Sequence, residues 1–286
     1  MVIIFLFIIL LLIILLSIYV YKESIGFTVV DYVFSDNRIK KDITIAYLSD
    51  LHNKEHGEYN EKLLTSIEKL NPDIVIFGGD MVTSCMEKSY DFSRTLVFIE
   101  NLSKKFPIYY GIGNHEAKFR DKDEEFKAKY VELISFLGKI NVPLLIDSKN
   151  EFAEYGIDLY CADIEKKYYR RFVTRQLPDD YLNSKIGTPN KSRYSILIAH
   201  NPEHFEKYAD WGADLVLSGH VHGGVISLPF LGGVISPAMK LFPKYDAGKF
   251  VSKNSTMILT RGIGSHTIPI RVNNKAEIVM IKIKGE

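Results

Sequence analysis

Five apolar runs in this chain stop on the same small set of residues. They are ITIAYLSD (43–50), DIVIFGGD (73–80), PIYYGIGNHE (107–116), YSILIAH (194–200) and ADLVLSGH (213–220). Each is β-branched or aromatic, of strand length, and runs into Asp, Asn, His or Gly. Such runs show no alternation, so both of their faces must be covered, which requires layers above and below a sheet. Between the early runs, Leu63, Leu64, Ile67 and Leu70 keep helical spacing, and SRTLVFIENL (93–102) reads as a second helix. Strand alternating with helix gives an α/β class. From residue 141 the strands shorten, through VPLLI, EFAEY and IDLYCA, and STMILTRGIG, IPIRV and EIVMIKIK continue that theme to the C-terminus. The expected architecture is a sandwich of two mixed sheets packed face to face with helices on both outer sides. The first three runs should be neighbours in one sheet.

Every polar cluster falls at the C-terminal end of an expected strand, the place where open α/β sheets build a ligand crevice. The clusters are DLH (Asp50, His52), GGD (Asp80), GNHE (Asn114, His115), IAHNP (His200) and GHVHGG (His220, His222). Singly, each has an ordinary reading as a turn residue, a helix cap or a buried histidine. Together they supply oxygens and imidazoles from five separate strand ends. D-x-H and H-x-H each turn two ligand types to one side of an extended segment, as a two-metal site needs. Cys85 and Cys161 lie far apart with no CxxC spacing, so neither a disulfide framework nor a thiolate zinc site is expected. Oxygen and imidazole ligands suit Mn²⁺, Fe or Zn²⁺ better than Ca²⁺ or Cu(I), with Mg²⁺ less suited.

Taken in order, DLH, GGD, GNHE, the lone His and GHVH resemble the calcineurin-like metallophosphoesterases, from about residue 43 to the C-terminus. The resemblance implies the four-layer α/β/β/α metallophosphoesterase fold. It implies two divalent ions, one held by Asp50, His52 and His222 and the other by Asn114, His200 and His220, with Asp80 bridging them. It makes His115 a general acid outside the ligand set. The tail TRGIGSHTIPIRVNNKAEIVMIKI, and GHVHGG followed by LPFLGG, resemble a membrane-anchored bacterial branch similar to UDP-2,3-diacylglucosamine hydrolases. That branch often has Gln where this chain has Val225.

The N-terminus is the exception to a composition otherwise ordinary for a globular chain of 286 residues. VIIFLFIILLLIILLSIYV (2–20) is apolar and of membrane-spanning length. A cleaved signal peptide is the competing reading, but no basic stretch precedes the run and no small-x-small site follows it. The expected organisation is a transmembrane anchor at 1–21, a juxtamembrane segment at 22–42 and a catalytic domain at 43–286. Lys22, Arg38, Lys40 and Lys41 all follow the span, which places the body on the cytoplasmic side of a single-pass topology.

Net charge is +1 with no long basic run, so a nucleic-acid partner is not expected. The expected partners are the membrane and a phosphorylated small-molecule or lipid substrate. The competing functions are a phosphoprotein phosphatase or general phosphodiesterase and, from another class, a non-catalytic metal-binding scaffold. His56, in NKEHGEY, reads as solvated, while His204 and His266 are lesser site candidates. The stretch 228–250, rich in Pro, Gly and apolar residues, reads as either a lid or hairpin core.

Overall fold

The computed structural model describes the chain apart from residues 85–90, 170–174, 225, 229–231, 235–240 and 266–269. The expectations for Cys85, Val225 and His266, and for much of 228–250, fall outside the described residues.

Helix α1 (Val2–Ile25) buries none of its side chains in the protein, so its apolar surface faces outward along its whole length. After Gly26 the chain enters β1 (Phe27–Asp36), β2 (Ile43–Leu48), α2 (Glu61–Leu70), β3 (Ile74–Phe77), α3 (Ser93–Ser103) and β4 (Ile108–Gly111). It continues through α4 (Asn114–Asp121), α5 (Glu124–Lys139), β5 (Leu144–Leu145), β6 (Ser148–Phe152), β7 (Ile157–Cys161) and α6 (Tyr181–Ile186). Then follow β8 (Tyr194–Ile198), α7 (Phe205–Trp211), β9 (Leu215–Ser218) and a two-residue ladder of β10 (Ser227–Leu228) with β11 (Gly232–Gly233). The last elements are β12 (Gly248–Ser252), β13 (Ser255–Leu259) and β14 (Ala276–Gly285).

Two six-stranded mixed sheets result, in the orders β1-β14-β2-β3-β4-β5 and β12-β13-β9-β8-β7-β6. Strands β2, β3 and β4 are adjacent and parallel, as expected from their apolar runs. The sandwich follows from the pleat: along β2, Ile43, Ile45 and Tyr47 face inward and meet Leu159, Ile196, Ile198 and Leu217 of the second sheet. Ala46 and Leu48 point the other way, into a layer filled by Leu63, Ile67, Phe98 and Leu133 from the helices. Leu197 and Val216 do the same for the second sheet against Leu182, Phe205 and Tyr208. The four layers are helix, sheet, sheet, helix.

Two elements differ from the sequence expectation. The first sheet begins at Phe27, inside the stretch read as juxtamembrane, because β1 pairs in parallel with β14 over ten residues. IPIRV forms no strand in its described part, where only Val272 bridges, to Ile226. The 228–250 stretch contributes both the β10–β11 ladder and β12.

Candidate active site

Parallel neighbours carry their C-terminal ends to one edge. The first sheet delivers Asp50, Asp80 and Asn114 there, and the second delivers His200, His220 and His222. Glycine makes the convergence possible. A Cβ on Gly219 would sit 2.3 Å from Asp50 Oδ2, and one on Gly113 would sit 2.3 Å from Asp80 Oδ1. Larger residues at either position would push the loops apart.

The side chains meet closely. His200 Nε2 lies 3.1 Å from Asp80 Oδ2 and 3.7 Å from Asp50 Oδ1. His222 Nε2 lies 3.3 Å from Asp50 Oδ1 and 3.1 Å from His52 Nε2. His52 and His115 each bring Nε2 to 3.9 Å from Asp80 Oδ2. Three overlapping groups gather within 4.8 Å: Asp50, His52 and His222; His52, Asp80 and His115; Asp80, His200 and His220. Asp80 and His52 each belong to two of them.

The backbone is bent to aim these groups. Asp50, His52, Asp80, His220 and His222 all have positive φ, between 50° and 72°. Asp and His tolerate this region better than most residues, yet it still costs on the order of 1 kcal/mol each. A chain that accepts left-handed turns at five such positions answers why two histidines follow Gly219 one residue apart: the strained turns point both rings into the crevice. Orientation is fixed from behind. His200 Nδ1–H donates to the Gly78 carbonyl at 2.7 Å, which leaves Nε2 facing Asp80. The His220 backbone N–H donates to the Asp50 carboxylate.

The donor set fits a pair of divalent ions. The carboxylates and imidazoles crowd together with ring nitrogens facing one another, and the buried Asn114 Oδ1 accepts no hydrogen bond. Oxygen and nitrogen donors in such overlap are what hard-to-borderline cations require.

The calcineurin-like phosphoesterase profile matches residues 43–224, and with it all eight residues of the cluster. The chain belongs to the calcineurin-like phosphoesterase family. It is 27% identical to an uncharacterized metallophosphoesterase of Campylobacter jejuni over 87% of its length and 61% of the relative's. It is 26% identical to one of Aquifex aeolicus over 95% and 97% of the two chains. A protein of Escherichia coli named as a phosphodiesterase is 24% identical over 87% and 84%. The chain thus spans about three-fifths of the Campylobacter relative and nearly all of the Aquifex one.

Charge in the phosphoesterase crevice is strongly coupled. Burial lifts the Asp50 carboxyl to about 6, with His200 pulling against it. Burial also favours a neutral Asp80, but His200, His115 and His52 hold it well below the usual carboxylate range. Burial opposes charge on His200, yet Asp80 and Asp50 lift it to about 10.

Several supporting residues escape a reading of the sequence. Glu116, buried, accepts the backbone N–H of Asp80 at 2.9 Å, of Gly113 at 3.0 Å and of Val82 at 3.3 Å, and the Tyr110 hydroxyl at 2.7 Å. Burial, then the nearby Asp80 charge, pushes its carboxyl up to about 7. It clamps the loop carrying Asp80 to the loop carrying Asn114 and His115. Its signal was available: an acidic residue at the third position of a helix that starts after Gly113 is a capping pattern. Ser84 donates its backbone N–H to His115 Nδ1 at 2.8 Å. Asn274 Nδ2 donates to the His222 carbonyl at 2.7 Å.

His56 corrects the expectation of a solvated residue. It is 3% exposed, its Nε2–H donates to the Ile263 carbonyl at 2.7 Å, and burial pushes the ring down to about 4. Phe27 of β1 packs edge-on against it, a contact that no local pattern shows. His204 is buried, edge-on to the rings of Tyr168 and Tyr208.

Proposed function

We propose that this phosphoesterase is a membrane-anchored, dinuclear metal-dependent hydrolase that cleaves a phosphoester or pyrophosphate bond of a lipid-linked or nucleotide-lipid substrate, in the manner of UDP-2,3-diacylglucosamine hydrolases. The observation that carries the hydrolytic part is the overlap of three potential ligand groups on Asp80 and His52. Asp50, His52 and His222 would hold one ion and Asn114, His200 and His220 the other, with Asp80 available to both. Bound there, Mn²⁺, Fe or Zn²⁺ would supply Lewis-acid activation of a water and positive charge against the phosphoryl group.

The protein's own groups do the rest. Glu116 fixes the spacing of the Asp80 and Asn114 loops, and Gly78 sets the His200 tautomer. His115 is the general acid. The Ser84 N–H occupies its Nδ1, so the proton sits on Nε2, the atom turned toward Asp80 and the crevice, from where it passes to the leaving oxygen.

Helix α1 supplies the anchor, since it is 24 residues long, apolar, and unburied. The lysines and arginine that follow it support a body on the cytoplasmic side. The E. coli phosphodiesterase relative supports a second reading, a general phosphodiester substrate.

The test is elemental analysis of the purified full chain together with a panel of nitrophenyl monoester, nitrophenyl diester and lipid pyrophosphate substrates with added Mn²⁺. Two metals per chain and preference for the lipid pyrophosphate are expected. Two metals with turnover of the diester alone would favour the second reading, and metal without any turnover would leave a scaffold.

A further inference from the structure

Beside the crevice, four short segments lie edge to edge. Val272 bridges Ile226, Val234 N–H donates to the Ile226 carbonyl at 2.8 Å, and Phe242 N–H donates to the Val234 carbonyl at 2.9 Å. At strand spacing the row is about 15 Å across. It carries Ile226, Leu228, Leu241, Phe242 and Ile270 on the outside, with Leu241 68% and Phe242 57% exposed. As described, its segments contain no Asp or Glu. An apolar surface of this kind marks a contact with something.

The end of α1 identifies what that something is. The Arg271 N–H donates to Ser24 Oγ at 3.0 Å, and Lys54 Nζ donates to the Ser24 carbonyl at 2.6 Å. One turn earlier, the Tyr19 hydroxyl meets Asn273 Oδ1. Tyr19 lies near the end of the apolar run 2–20, and Lys22 and Glu23 follow it, so Tyr19 stands where a spanning helix leaves hydrocarbon and enters the headgroup layer. The segment 270–273 is therefore tied to the helix at headgroup depth, and the rest of the row extends sideways from it.

The row is also tied to the crevice. Ile226 follows His222 by four residues, Asn274 grips the His222 carbonyl, and the Arg271 guanidinium donates to the carbonyls of Gly262 and Gly264. Gly262 lies against Asp50, where a Cβ would come within 2.8 Å of the Asp50 Cβ.

We propose that this row is a membrane-docking face. Its apolar side chains seat in the interfacial layer of the bilayer that α1 spans, and they hold the metal crevice at the level of lipid headgroups. The proposal rests on the anchor reading of α1 and deepens the lipid-substrate reading. A single apolar phase then covers two surfaces that the protein leaves bare, the helix and the row joined to it.

The test uses the full chain in phospholipid vesicles. Trp211 is the sole tryptophan, so Trp211→Phe with Phe242→Trp gives one indole at the row. Lipids brominated near the headgroup should quench its emission at least twofold relative to unbrominated lipids. Equal emission in the two would overturn the proposal, and an indole shielded from both bromolipid and acrylamide would overturn it in favour of a protein contact. Leu241→Trp in the same background repeats the measurement should Phe242→Trp fail to fold. Separately, Leu241→Asp with Phe242→Asp should lower turnover of a bilayer-embedded diester at least tenfold and leave a soluble nitrophenyl ester within twofold; an equal effect on both would count against docking. Carbonate extraction reports on the anchor and the soluble ester on hydrolysis. A chain that resists extraction and hydrolyses the ester, yet is not quenched, loses the docking face alone, whereas quenching without hydrolysis supports docking and removes the hydrolase reading.

Discussion

At the scale of the residue, the crevice has two kinds of member: Asp50, Asp80, His200, His220 and His222 face one another, and Glu116, Ser84 and Asn274 hold the loops around them. Asp50, Asp80 and the H-x-H pair could be read from position and type. Glu116 left a capping pattern three positions after Gly113, whereas Ser84 and Asn274 left none, since Ser84 acts through its own backbone N–H on His115 Nδ1 and Asn274 through the His222 carbonyl, both brought close only by the fold. Two predictions separate the kinds. His115→Ala should keep both metals and lose roughly 10² to 10⁴ in rate, with a smaller loss on a nitrophenyl ester than on an alkyl ester because a good leaving group needs less protonation. Loss of one metal, or equal losses on the two esters, would make His115 a ligand or a positioning group. Glu116→Ala strands three buried N–H groups at about 1–3 kcal/mol each, so urea unfolding should show a loss of several kcal/mol along with weaker metal retention. Glu116→Gln should recover only part, because both carboxylate oxygens accept bonds and one becomes a donor.

At the scale of the element, the apolar runs located β2, β3, β4, β8 and β9, because buried strands must be apolar throughout, but overran each by two to six residues, since each run was read on into the loop that carries the site residues. β1 was hidden for the opposite reason. It is a sheet edge with alternating exposure, FTVVDYVFSD, and it follows a membrane-like helix, so its pattern reads as spacer. A truncated chain beginning at Gly26 should therefore fold and stay soluble, while one beginning at Ile43 strips β14 of its ten-residue parallel partner and uncovers His56 by removing Phe27. Thermal melting of the two should differ by several degrees, with the shorter form prone to aggregate. Equal melting would make β1 dispensable and return the boundary to residue 43.

At the scale of the whole molecule, His56 makes global stability depend on pH. Its folded pKa, about 4, lies below the ordinary 6.5. Between those values the unfolded chain binds the extra proton, so the His56 contribution to stability is full above about 6.5 and declines as pH falls toward 4, by up to about 3 kcal/mol, against the opposite trend of the raised Asp50 and Glu116 carboxyls. Chelator-treated protein should show this in its urea midpoint, and His56→Gln, which keeps an N–H for the Ile263 carbonyl, should remove that contribution from the slope over that window. An unchanged slope would place the titrating group elsewhere.

β14 lies between β1 and β2, although those two strands are consecutive in the chain and the entire second sheet intervenes before β14 is reached. During synthesis, then, β1 and β2 emerge early with a strand-wide slot between them that nothing can fill for most of translation. The nascent chain waits with two open edges facing each other, and the first sheet closes only as a late insertion. A ribosome that stalls anywhere in the second sheet leaves a half-sandwich with its slot open, a natural substrate for holding chaperones and proteases.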